Sequence, residues 1–85
     1  MDGEQRFEAA YPCRWEYRII GPSSELIRAA ISEALAGLEY SLSFSKFSTA
    51  GKYISFSLEV TVRDTEHRDA IYKELQRDPR IRFVI

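Results

Sequence analysis

The chain has 85 residues, 45% of them hydrophobic and 29% charged, enough for one small globular domain and too few for a second core. Lys and Arg total 12 against 13 Asp and Glu, which argues against a dedicated nucleic-acid binder, since such domains carry a basic excess. The single cysteine, Cys13, excludes an internal disulfide and a multi-cysteine metal site, and a reducing compartment fits it best.

Residues 1–10, MDGEQRFEAA, are polar and patternless and read as a flexible tail ahead of one domain over residues 11–85. They lack the apolar run of a signal peptide, and no apolar run approaches the ~20 residues needed to cross a bilayer. The expectation is a cytoplasmic protein with no membrane contact.

From Cys13 to Ile20 the pattern alternates. Cys13, Trp15, Tyr17 and Ile19 fall on one side and Arg14, Glu16 and Arg18 on the other, as in a half-buried strand ended by Gly21-Pro22. Ser23 or Ser24 can cap the helix that follows, and Glu25 suits its positive end. Leu26, Ile27, Ala30, Ile31, Ala34, Leu35 and Leu38 make one apolar stripe, Arg28, Ser32 and Glu33 fall opposite, and Gly37 is a stop.

Residues 39–48 alternate again, Tyr40, Leu42 and Phe44 against Ser41, Ser43 and Ser45. After the turn Ser48-Thr-Ala-Gly51, Ile54, Phe56, Leu58, Val60 and Val62 alternate with Ser55, Ser57, Glu59 and Thr61, so the two runs form a hairpin. Asp64 or Thr65 caps a second helix whose buried stripe is Ile71, Tyr72 and Leu75, ended by Asp78-Pro79. Ile81 to Ile85 closes the chain as a short strand.

Two helices with one apolar stripe each and four strands with one apolar face each pack most simply as two layers. With right-handed crossovers, the order predicts an α+β, ferredoxin-like βαββαβ sandwich. Both helices cover one face of a four-stranded antiparallel sheet of order 4-1-3-2.

That arrangement leaves one sheet face uncovered, carrying Arg14, Glu16, Arg18, Ser41, Ser43, Ser45, Ser55, Ser57, Glu59, Thr61 and Arg82. An ion pair of Arg14 or Arg18 with Glu59 is the plainest use of it. Because the first and fourth strands are neighbours, Arg14, Arg18 and Arg82 are expected to converge. With Lys46 and Lys52 flanking the hairpin tip, they form a candidate face for an acidic partner or small acidic ligand. Phe47 and Tyr53 share the parity of that face and are expected to pair across the turn.

The Gly51-Lys52 pair is not a phosphate loop. That motif needs a glycine five residues earlier and Ser or Thr after the lysine, where this chain has Lys46 and Tyr53. Single-stranded RNA binding, the familiar use of this topology, stacks bases on aromatics of the central strands, where the first strand instead offers Arg14, Glu16 and Arg18. Nucleic acid on the open face is therefore the alternative reading. Small acylphosphatases share the topology, but their catalytic arginine loop and asparagine have no counterpart: the loop is Gly21-Pro22-Ser23-Ser24 and the chain contains no asparagine. His67 is the only histidine, so no paired-histidine metal site exists, and Cys13 shares the parity of the buried aromatics. No base–nucleophile pair is visible, and no cofactor, metal or catalytic residue is expected.

Two features point to binding without chemistry. The edge strand over residues 39–48 is uncharged from Tyr40 to Ser45, which invites a homodimer or a protein partner. Gly21, Ser23 and Ser24 place a turn and hydroxyls at a helix N-terminus, where a carboxylate or phosphate can bind.

Three stretches, Tyr11 to Gly21, Lys46 to Val60 and Ile71 to Ile85, together resemble the YbeD-like family of small bacterial proteins of unknown function. The resemblance implies a ferredoxin-like fold similar to ACT regulatory domains, whose ligand loop corresponds to Gly21–Ser24. The acidic residue that often precedes that glycine is replaced by Ile20. The resulting expectation is a non-enzymatic regulatory or protein-interaction module.

Overall fold

The computed structural model describes residues 11–48 and 51–85; the tail expected over 1–10 lies outside them. The element order is β1 (Cys13–Gly21), α1 (Ser24–Ala34), β2 (Tyr40–Phe47), β3 (Ile54–Val62), α2 (Thr65–Arg77) and β4 (Phe83–Val84). The sheet is antiparallel with order β2-β3-β1-β4, the expected 4-1-3-2 read from the other edge.

One strand pair carries the fold. β1 runs in unbroken register against β3 from Cys13 opposite Val62 to Gly21 opposite Ile54. Tyr17, Ile19, Phe56, Leu58, Val60 and Val62 line its covered side and are buried. Ile27, Ala30, Ile31 and Leu35 come down from α1, and Ile71 and Leu75 from α2. Each fully buried Ile, Leu or Phe contributes about 1.5–3 kcal/mol relative to exposure.

Between the two cap candidates of α1, Ser23 holds the position: its Oγ accepts from the Leu26 amide at 3.3 Å. Asp64 caps α2, accepting from the His67 amide at 2.7 Å. The helical stripe is narrower than its sequence. Leu26, in the first turn of α1, is exposed, and the helix ends at Ala34 before reaching Leu38. Arg28 does not simply face water, since its guanidinium lies 5.0 Å from the Phe56 ring centre and roofs that ring.

Gly21 is a glycine because of packing. A Cβ there would stand 2.9 Å from Ile27 Cγ1 and 3.0 Å from the Arg80 carbonyl oxygen. The hairpin tip is held by Ser48, whose Oγ accepts from the amides of Lys52 and Tyr53 at 3.1 Å each, with Gly51 at φ 71°. That φ lies in the left-handed region glycine tolerates best.

Two expectations about facing are corrected. The ladder slips between Phe44 and Lys46, so Phe44 stands opposite Phe56, Lys46 opposite Ser55 and Phe47 opposite Ile54. A bulge of one residue reverses parity beyond it. Phe47 therefore lies on the helix side against Phe44, ring centres 5.0 Å apart, and does not pair with Tyr53. In the last strand Val84 is buried opposite Ile19, while Phe83 opposite Ile20 and Ile85 beside Arg18 face outward. Ile81 is also buried, set by a turn in which its amide donates to the Asp78 carbonyl. Ile81 and Val84 are three residues apart, so strict alternation fails between them.

Candidate functional site

The open face divides into two halves along β1. In the half nearer Cys13, Arg14 Nη2 donates to Glu59 Oε1 at 3.0 Å and to Ser41 Oγ at 3.3 Å. Ser57 Oγ donates to Glu16 Oε2 at 3.0 Å. This is the expected Arg14–Glu59 pair, and as a surface pair it contributes about 0–1 kcal/mol. The network relieves the like-charge apposition of Glu16 with Glu59, which stand directly opposite each other.

The half nearer Gly21 is different. Ile20, Ser55 and Lys46 lie side by side across β1, β3 and β2. Arg18 is one pleat away, and Ile85 exchanges backbone hydrogen bonds with it at 2.9 Å in both directions. Among the described residues neither Arg18 nor Lys46 makes a side-chain hydrogen bond or ion pair. Ser55, expected in solvent, is only 6% exposed.

Arg82 does not join Arg14 and Arg18. Its amide donates to the Ile20 carbonyl at 2.7 Å, which places it at the Gly21 end of β1. Arg14 lies six residues back, about 20 Å at strand rise. The Arg82 guanidinium instead lies 6.0 Å from the Phe83 ring centre. Lys52 is exposed at the hairpin tip. At the helix turn, the Ser23 hydroxyl is engaged by its cap, the Ser24 hydroxyl accepts from Arg28 Nε at 3.4 Å, and Gly21 is packed against Ile27. The open-face positions of β1 and β3 carry no aromatic ring.

The second notable region is the edge. β2 has eight residues and pairs only with β3. On its helix side Phe44 is 49% and Phe47 63% exposed, although Phe44 also packs edge-on against Phe56 with centres 5.9 Å apart. Adjacent large exposed rings on an unpaired edge are unusual for a surface that meets only water. Periodicity predicted that Phe44 would be buried; the helices do not reach that far.

The remaining polar contacts hold the two layers together. The Arg68 guanidinium lies 4.6 Å from the Trp15 ring centre and reaches the Tyr11 hydroxyl at 3.3 Å. Burial pushes the Tyr17 phenol up to about 12, with Arg68 partly opposing the shift. Arg80 bridges Glu33 of α1 and Asp78 after α2, both at 2.7 Å. Its hydrogen bonds hold both carboxyls below their ordinary values. His67 Nδ1 accepts from the Arg63 amide, and Cys13 is partly buried against the core. Among the described residues no group of three His, Cys, Asp or Glu side chains is placed to hold a metal, and no helix is long and apolar enough to cross a membrane.

Comparison with known proteins agrees with this architecture. The family described as "Protein of unknown function (DUF493)" matches residues 8–85, and the chain belongs to it, as the YbeD-like resemblance anticipated. A UPF0250 protein of Shewanella amazonensis is 31% identical over 68 residues, covering 76% of each chain. One from Shewanella baltica is 30% identical over 78 residues, covering 88% of each. The solution structure of protein HP0495 from H. pylori superposes with a TM-score of 0.80 at 19% identity, covering 95% of this chain and 89% of that one. The fold is shared; the family is of unknown function.

Proposed function

We propose that this protein is a non-enzymatic interaction module that pairs through the β2 edge with a second copy of itself. The observation that carries the reading is the exposed Phe44–Phe47 pair on an unpaired eight-residue strand. An open edge supplies a row of backbone donors and acceptors, and flanking apolar rings supply surface to bury.

A second copy fits better than an unrelated strand because the segment is self-complementary. Twofold antiparallel pairing centred on Leu42 sets Tyr40 opposite the partner's Phe44 and Ser41 opposite the partner's Ser43. No charge faces a like charge in that register, because Tyr40 to Ser45 carries none. The bulge and Lys46 limit the pairing to the regular part of β2.

Sedimentation equilibrium over a wide concentration range tests this reading. A dimer is expected, with slowed amide exchange confined to β2. A strict monomer at high concentration would overturn it.

A further inference from the structure

We propose that the open face also holds a binding site, distinct from the β2 edge pairing, for a small monocarboxylate with an apolar body. Arg18, Ile20, Lys46, Tyr53, Ser55 and Ile85 line a hollow of about 260 Å³ at the Gly21 end of the sheet. That is slightly below the ~300–1,000 Å³ range of pockets for drug-sized ligands and suits a small metabolite.

Three observations specify the ligand. First, Ser55 lies at the middle of the cross-strand row Ile20–Ser55–Lys46, is 6% exposed, and its Oγ has no hydrogen-bond partner among the described residues. A buried hydroxyl left in that state is costly unless something meets it. Second, the hollow is bordered by two cations, Arg18 and Lys46, for which no carboxylate partner is found among the described residues. The Arg14 half of the same face shows the contrast, because there guanidinium, carboxylates and hydroxyls satisfy one another. Glu16 is the nearest acid along β1, but it accepts from Ser57 and does not line the hollow. Third, the rest of the lining is the side chains of Ile20 and Ile85 and the ring of Tyr53.

Arg18 and Lys46 lie on strands two spacings apart, about 10 Å, with Ser55 between them. A carboxylate over Ser55 can accept from guanidinium, ammonium and hydroxyl together. Its carbon chain then lies on Ile20 and Ile85. A neutral or cationic ligand would leave the donors unmatched.

Titration of the full chain with acetate, butyrate, hexanoate, hexylamine and inorganic phosphate, followed by amide chemical shifts, tests the site. Shifts are expected at Arg18, Ile20, Lys46, Tyr53 and Ser55, with affinity rising up to roughly fourfold per buried methylene from acetate to hexanoate. Arg18→Gln should weaken hexanoate about tenfold or more and Ser55→Ala about fivefold, both with native spectra. Phe44→Lys should bind hexanoate as the parent does, which separates this site from the edge pairing. Equal binding of hexanoate and hexylamine, stronger binding of phosphate than of hexanoate, or no shifts at saturating hexanoate would each overturn the proposal.

Discussion

The Tyr17 hydroxyl donates a 2.6 Å hydrogen bond to the main-chain carbonyl of Arg68, tying the centre of β1 to the first turns of α2. Tyr17 is buried, so its phenol resists ionisation to about pH 12. In the unfolded chain it ionises near 10. The folded state therefore holds a proton that the unfolded state loses, and this contribution is complete below pH 10 and is lost as pH rises toward 12. A spectrophotometric titration should find one tyrosine ionising late, and Tyr17→Phe should abolish that step. The same variant should lose about 1 kcal/mol at neutral pH by urea denaturation.

The Arg80 fork behaves in the opposite sense. Glu33 and Asp78 titrate below their ordinary values of 4.5 and 3.8 because Arg80 hydrogen-bonds their charged forms. That stabilisation is present above those values and disappears as pH falls through the lower folded ones. Arg80→Met should lower the urea midpoint at pH 7, and the gap to the parent should close in acid. A gap constant down to pH 2 would contradict it.

Gly21→Ala should destabilise the domain by about 1–3 kcal/mol, because the new methyl meets Ile27 and a backbone carbonyl at overlap distance. Thermal unfolding measures it directly. If the turn were instead a ligand contact, the variant would keep its stability.

Ser55→Ala should raise stability by about 1 kcal/mol, since it removes a buried hydroxyl with no protein partner. Chemical denaturation of the parent and variant in ligand-free buffer reads this. A loss of stability would mean that the hydroxyl is already engaged.

Phe44→Lys should convert a dimer to a monomer in sedimentation. Its effect on unfolding free energy, measured at low concentration, should stay small, because half of the ring is already exposed and only its contact with Phe56 is lost. Leu42→Lys should have the same effect on association.

Much of this was legible in the residue pattern, and the failures have a common cause. The alternations of Cys13–Ile20 and Ile54–Val62 are unbroken, and β1 and β3 pair as read. The helical spacing of Ile27, Ala30, Ile31 and Leu35 likewise marks the buried stripe. What periodicity misses is a change of phase. Ser45 looks like one more outward hydroxyl, yet the bulge there sends Phe47 to the helix side and Lys46 opposite Ser55. Ile81 and Val84 both reach the core through a turn, so Arg82 was assigned to a face on which Phe83 and Ile85 stand instead. The hollow around Ser55 depends on both shifts, since one sets Lys46 and the other sets Ile85. Arg18 and Lys46 were recognisable as candidates; their common neighbour Ser55 was not.

The two borders of the sheet are unequal: β2 offers eight residues, while β4 offers two. A strand layer that could grow at both margins would propagate into a filament. Here the longer margin is used up when two copies meet around a twofold axis, and the remaining margins are too short to recruit a third. Assembly of this chain is therefore self-terminating, with the brevity of Phe83–Val84 acting as the stop.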